Sequence, residues 1–162
     1  MVTQPTERSM SSPSGLTTGV DHSAAASHDA LLLAARIALG LIFVTSGFAK
    51  LTGLAAFSAS LAARGVPAAE LFGVIGAAVE FFGGVLIVLG LATRYAALLM
   101  ILFVIVATLI SHRFWEYADA QQYRAQQSQF MKNLAIIGGF IALFAGGAGR
   151  ISMDALWRRE RR

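Results

Sequence analysis

Leu71–Ala92 reads LFGVIGAAVEFFGGVLIVLGLA, an apolar run whose single ionisable side chain is Glu80. A helix needs about 20 mostly apolar residues to cross a bilayer, and this stretch meets that length without a break. Leu31–Ala49 meets it as well. Two further runs, Tyr95–Ile110 and Leu134–Gly149, are shorter, but Ser111 and Asn133 can each extend one of them. In isolation either could be a soluble core helix. Beside two full-length spans, four crossings is the better reading. The expected architecture is therefore all-α, an integral membrane four-helix bundle with a disordered N-terminal tail.

Composition agrees. Of 162 residues, 56% are hydrophobic and 14% charged, and the mean hydropathy is +0.65. A soluble domain carries about 25% charged residues, so a single domain of this length lacks the polar surface to hide so much apolar sequence. The chain has no cysteine. That excludes disulfides, thiolate metal sites, iron–sulfur clusters and dithiol redox centres within the chain itself. The net charge of +4 does not point to nucleic acid, because no basic stripe with interleaved aromatics is present. Basic residues flanking membrane spans account for it.

Three regions follow. Residues 1–30 contain ten Ser or Thr and few large apolar side chains, a composition that cannot offset chain entropy and reads as a disordered polar tail. It does not read as a signal peptide, since the first apolar run contains Arg36 and reaches Lys50 without a small-residue cleavage site. Residues 31–150 hold the four spans, and 151–162 form a basic C-terminal tail. Thr93-Arg94 leaves almost no linker between the second and third spans, which demands an antiparallel hairpin. After the first span, Leu51, Leu54, Phe57 and Leu61 mark one face of a short helix stopped by Gly65-Val66-Pro67. It fits either an interfacial or an ordinary connecting helix. With both termini on one face, that face carries seven Lys or Arg (Arg8, Arg94, Arg150, Arg158, Arg159, Arg161, Arg162). The other carries five (Lys50, Arg64, Arg113, Arg124, Lys132). The excess places the termini in the cytoplasm.

Ionisable groups inside hydrocarbon cost about 2.5–3.5 kcal/mol or more, so each is a functional candidate. Arg36 and Glu80 lie inside spans. Arg36, Gly40, Phe43, Gly47 and Lys50 fall on one helical stripe, and Gly76, Glu80 and Gly84 on another. Glycines beside polar residues allow close helix approach, so the two stripes are expected to face each other. Arg36 and Lys50 lie on opposite sides of the Glu80 depth, each roughly 10 Å away along the axis, and spacing does not choose between them. A pairing that only fixes helix register is as good an account as a ligand site. The pairs Gly83-Gly84, Gly138-Gly139 and Gly146-Gly147 read as packing glycines.

A second polar group gathers where the third and fourth spans meet one membrane face: His112 and Trp115, with Lys132 and Asn133 and with Lys50 nearby. Trp anchors at headgroups and snorkelling Lys explain much of it. His112 is the side-chain type that changes charge near neutrality. No metal site is expected, since His22 and His28 lie in the tail and His112 has no ligand partner three or four residues on.

These motifs, in order, resemble the DoxX family of small bacterial four-helix membrane proteins. The matching elements are Arg36-Ile37-Ala38-Leu39-Gly40 with Ser46-Gly47-Phe48-Ala49-Lys50, and Glu80-Phe81-Phe82-Gly83-Gly84 with Leu89-Gly90. His112-Arg113-Phe114-Trp115 and Phe130-Met131-Lys132-Asn133-Leu134 with Gly138-Gly139 complete the pattern over residues 31–150. The resemblance implies a bacterial inner-membrane location and a membrane redox or quinone-linked role. Family relatives include a subunit of a thiosulfate:quinone oxidoreductase and a membrane partner of superoxide dismutase and a sulfurtransferase in thiol-stress defence.

On that basis the expected function is an accessory, quinone-linked subunit of a membrane oxidoreductase or thiol-stress system, with redox partner proteins and no covalent cofactor. Glu80 and His112 are the candidates for proton exchange. Arg36, Lys50, Trp115, Lys132 and Asn133 are the candidates for ligand binding, with Trp115 stacking on a quinone ring and Lys132 and Asn133 on its oxygens. The alternatives are a non-catalytic membrane scaffold, and a small carrier that four helices would support only as an oligomer.

Overall fold

A computed structural model describes residues 14–161, with side chains described from Ala26 onward. The elements are α1 (Ser14–Thr52), α2 (Leu54–Ala63), α3 (Ala69–Leu89), α4 (Thr93–Ser111), a 3-10 turn (Phe114–Glu116), α5 (Ala120–Gly146) and α6 (Met153–Glu160). Helices α1, α3, α4 and α5 are long and apolar enough to cross a membrane, and the fold is all-α among the described residues. Phe43, Ile87, Met100, Val104, Ile136 and Phe140 bring all four together in one core. The Phe43 and Phe140 rings sit 5.5 Å apart. The outward faces leave Ile42, Phe82, Leu102, Val106 and Ile141 exposed, as a lipid-facing surface requires.

Helix α1 packs antiparallel on α3, α4 on α5, and α2 folds back against α3. Glycine makes the first contact close. A Cβ added at Gly47 would lie 2.5 Å from the Phe81 nitrogen, and one at Gly84 would lie 2.9 Å from the Gly40 carbonyl oxygen. These two approaches set the axial register between α1 and α3. Gly138 and Gly146 have nothing within 4 Å of an added Cβ. Their reading as packing glycines is therefore corrected, because both lie on the face of α5 turned away from the bundle.

Three boundaries differ from expectation. Helix α1 begins at Ser14, well before Leu31, since Ala24-Ala25-Ala26 are the strongest helix formers and continue the span backwards. The polar-tail reading of residues 1–13 lies outside the described residues. Helix α5 begins at Ala120, not near Leu134, because Asp119 caps it by accepting from the Gln122 amide at 2.8 Å. Its first half is rich in Gln, Ala and Arg, good helix formers without an apolar stripe. The C-terminal segment is a docked helix as well as a basic stretch. Ser152 caps α6, and the Asp154 amide donates to the Gly90 carbonyl at 2.9 Å.

Candidate functional site

The expected stripe on α1 is inward-facing: Arg36, Gly40, Phe43 and Gly47 are buried and Lys50 is half-buried. Its two cations go to different ends of the bundle. Arg36 is 0% exposed and donates through Nη2 to the Ile151 carbonyl. Its Nε and Nη1 have no protein partner among the described residues. Beside it, the α3–α4 turn passes through Gly90 at φ 65° and Ala92 at φ 48°. A left-handed alanine costs about 1–2 kcal/mol, and the conformation is held from outside: Asp154 accepts from the Ala92 amide at 2.7 Å and the Thr93 amide at 3.0 Å. Asp154 thus caps α4 from sixty residues away in the chain, neutralising two of the donors a helix start leaves free. Arg36 and Asp154 together fasten the C-terminal segment to the bundle.

Glu80 pairs with Lys50. Lys50 Nζ lies 2.5 Å from Glu80 Oε2, with the Glu80 side chain 4% exposed and that of Lys50 32% exposed. The same ammonium sits 5.0 Å above the centre of the Phe57 ring, brought there by α2, whose predicted face of Leu54, Phe57 and Leu61 turns inward. Cation–π attraction and the ion pair together hold the amine at one place. That place is the wall of a cavity of about 660 Å³ between α2, α3 and α4. Its walls include Phe72, Ile75, Leu102, Phe103 and Val106, and its rim carries Arg64, Ser111 and Arg113. Phe72, Ile75, Leu102 and Val106 are themselves exposed, so the cavity is an apolar groove open toward the lipid-facing side, with a few convergent polar groups as small-molecule sites have.

The remaining expected residues do not line this cavity, and each has its own neighbour. His112 Nδ1 lies 2.8 Å from Gln126 Oε1; with that oxygen accepting, the proton is on Nδ1. Asn133 donates to Thr108 Oγ1 at 2.8 Å, and Thr108 donates to the Val104 carbonyl at 2.6 Å, an interhelical bridge between α4 and α5. Lys132 is exposed and donates to Gln129 on its own helix. Trp115, 53% exposed, packs edge-on against Phe114 and Phe130 at 5.1 and 6.2 Å between ring centres. Phe114 also meets Tyr123 at 5.4 Å. These aromatics splice the 3-10 turn to α5.

Sequence reasoning missed Asp154, Phe57 and Arg64 as members of polar sites. Pairing Gly40 with Gly84 and Gly47 with Phe81 would have set the α1–α3 register and selected Lys50 for Glu80. The roles of Asp154 and Phe57 depend on segments that fold back, and periodicity carries no signal for that.

Comparison with known proteins bears on the family and not on the site. The DoxX family profile matches residues 31–113. The chain is 36% identical over 129 residues to the inner membrane protein YphA of Escherichia coli (strain K12), covering 80% of this chain and 91% of that protein. It is 36% identical over 132 residues to the inner membrane protein YqjF of the same organism, covering 82% and 95%. No solved structure matches.

Proposed function

The chain belongs to the DoxX family, and from that premise we propose that it is an inner-membrane accessory subunit that binds a quinone-type amphiphile in the cavity beside Lys50. The observation that carries this reading is the meeting of the Lys50–Glu80 pair with an open apolar groove of about 660 Å³. The apolar walls suit a quinone ring and its prenyl tail. Lys50 Nζ would donate to a quinone oxygen, while Glu80 Oε2 accepts from the same ammonium and holds it in place. Electrons come from a partner protein, because a chain without cysteine has no thiol couple to supply them. Arg64 at the edge of the groove attracts an acidic headgroup, while Arg113 is paired with Glu116 at 2.9 Å. The relatives' printed names supply the inner-membrane location, and the Lys and Arg count supports cytoplasmic termini.

Purification in native lipids, with mass analysis of everything retained, tests the reading. About one quinone per chain together with a redox partner is expected. A preparation that retains lipid but no quinone overturns it. The scaffold alternative has its own support in the aromatic junction of Phe114, Trp115 and Phe130. It requires a partner that is lost with Trp115→Ala and retained with Lys50→Met.

A further inference from the structure

The opposite end of the bundle holds a second concavity, a cleft of about 700 Å³ between the start of α4, the Gly147–Arg150 turn and α6. Four arginines line it: Arg94, Arg150, Arg158 and Arg161. Arg150 lies 4.0 Å from Asp29, while Arg94, Arg158 and Arg161 have no carboxylate within ion-pair distance among the described residues. The acid within the cleft, Asp154, spends both oxygens on the Ala92 and Thr93 amides. Thr93 also borders the cleft; the residue is 1% exposed and its Oγ1 is unpartnered among the described residues.

The four guanidiniums are exposed around one cleft, with Arg94 and Arg158 also donating to the Ala145 and Asp154 carbonyls, and an anion there would meet several of them at once. Guanidinium forks match the oxygens of a phosphate in planar, two-pronged bonds. The surroundings specify which phosphate. Met153, Leu156 and Trp157 are exposed along α6, and Tyr95 and Leu98 are exposed along α4. A charged helix with an apolar flank suits the plane of a membrane interface, and the α4 face offers acyl chains an apolar path away from it. We infer that this cleft binds the phosphodiester headgroup of an anionic phospholipid, which fastens α6 onto the α3–α4 turn. The site is separate from the Lys50 cavity and does not depend on the quinone reading.

The full chain in detergent, offered equal phosphatidylglycerol and phosphatidylcholine and weighed intact by mass spectrometry, provides the test. Wild type is expected to retain phosphatidylglycerol with about tenfold preference. Arg94→Gln with Arg158→Gln should abolish that preference. The charge-matched pair Arg124→Gln with Arg159→Gln, outside the cleft, should keep it. Excess inorganic phosphate should leave the preference intact, since the acyl chains contribute to binding. Equal retention of the two lipids by wild type, an undiminished preference in the cleft variant, or equal loss in the control pair overturns the proposal. Displacement by inorganic phosphate overturns the lipid assignment in favour of a free-anion site. Helical content and elution volume of every variant separate lost binding from lost fold.

Discussion

Arg36 and Lys50 sit on one stripe of one helix, yet the bundle uses them in opposite ways. Arg36 is wholly enclosed and bonds to a backbone carbonyl of the C-terminal segment. Lys50 is partly open, bonds to a carboxylate and borders a cavity. A cation held only by backbone acceptors has no proton partner and acts as a fastener. A cation paired with a carboxylate, with space beside it for a ligand, can take part in chemistry. Membrane depth does not distinguish them. Partner and free volume do.

The contrast can be broken most forcefully at Lys50. Lys50→Met strands the Glu80 carboxylate in the membrane interior, and loss of one member of a buried pair costs about 3–5 kcal/mol. Unfolding in mixed micelles should show that loss. The double variant Lys50→Met with Glu80→Leu should recover most of it, because matched apolar replacement of a buried pair is often neutral. If the double variant is as unstable as the single, the pair is not an isolated electrostatic unit.

A middle-sized effect belongs to the other end. Asp154→Ala removes two charge-assisted hydrogen bonds and the cap of α4, at about 1–3 kcal/mol. Hydrogen exchange should accelerate in α6 and the α3–α4 turn while α2 and the Lys50 end of α1 stay protected. Equal acceleration at both ends would show that the ends are coupled and the contrast drawn too sharply.

The smallest effect is at Asn133. Interhelical hydrogen bonds in membranes average about 0.6 kcal/mol, and Asn133→Ala should cost that much in the same unfolding assay. A cost comparable to Lys50→Met would make the Asn133–Thr108 bridge part of a larger polar site.

How much of this was legible follows from the same residues. The stripe from Arg36 to Lys50 was readable because a 3.6-residue period orders one face of one helix. The choice of Lys50 over Arg36 for Glu80 was not, since it depends on the axial offset of two helices, set by Gly47 against Phe81 and Gly40 against Gly84. The early start of α5 escaped because Gln-rich helix has no apolar period. Asp154 escaped because its arginine neighbours read as ordinary flanking charge. His112, Trp115, Lys132 and Asn133 share one end of the bundle, but a shared end is not shared contact, and each meets a different neighbour.

One titration addresses the central claim, that the Lys50 end holds the ligand while the Arg36 end holds the fold. A short-chain quinone is titrated into wild type, the Lys50→Met/Glu80→Leu double variant and Asp154→Ala, each shown to be folded. The account predicts weakening of about tenfold or more in the double variant, the scale of a lost charge-assisted hydrogen bond, and unchanged affinity in Asp154→Ala. Unchanged affinity in the double variant, or loss in Asp154→Ala alone, would contradict it.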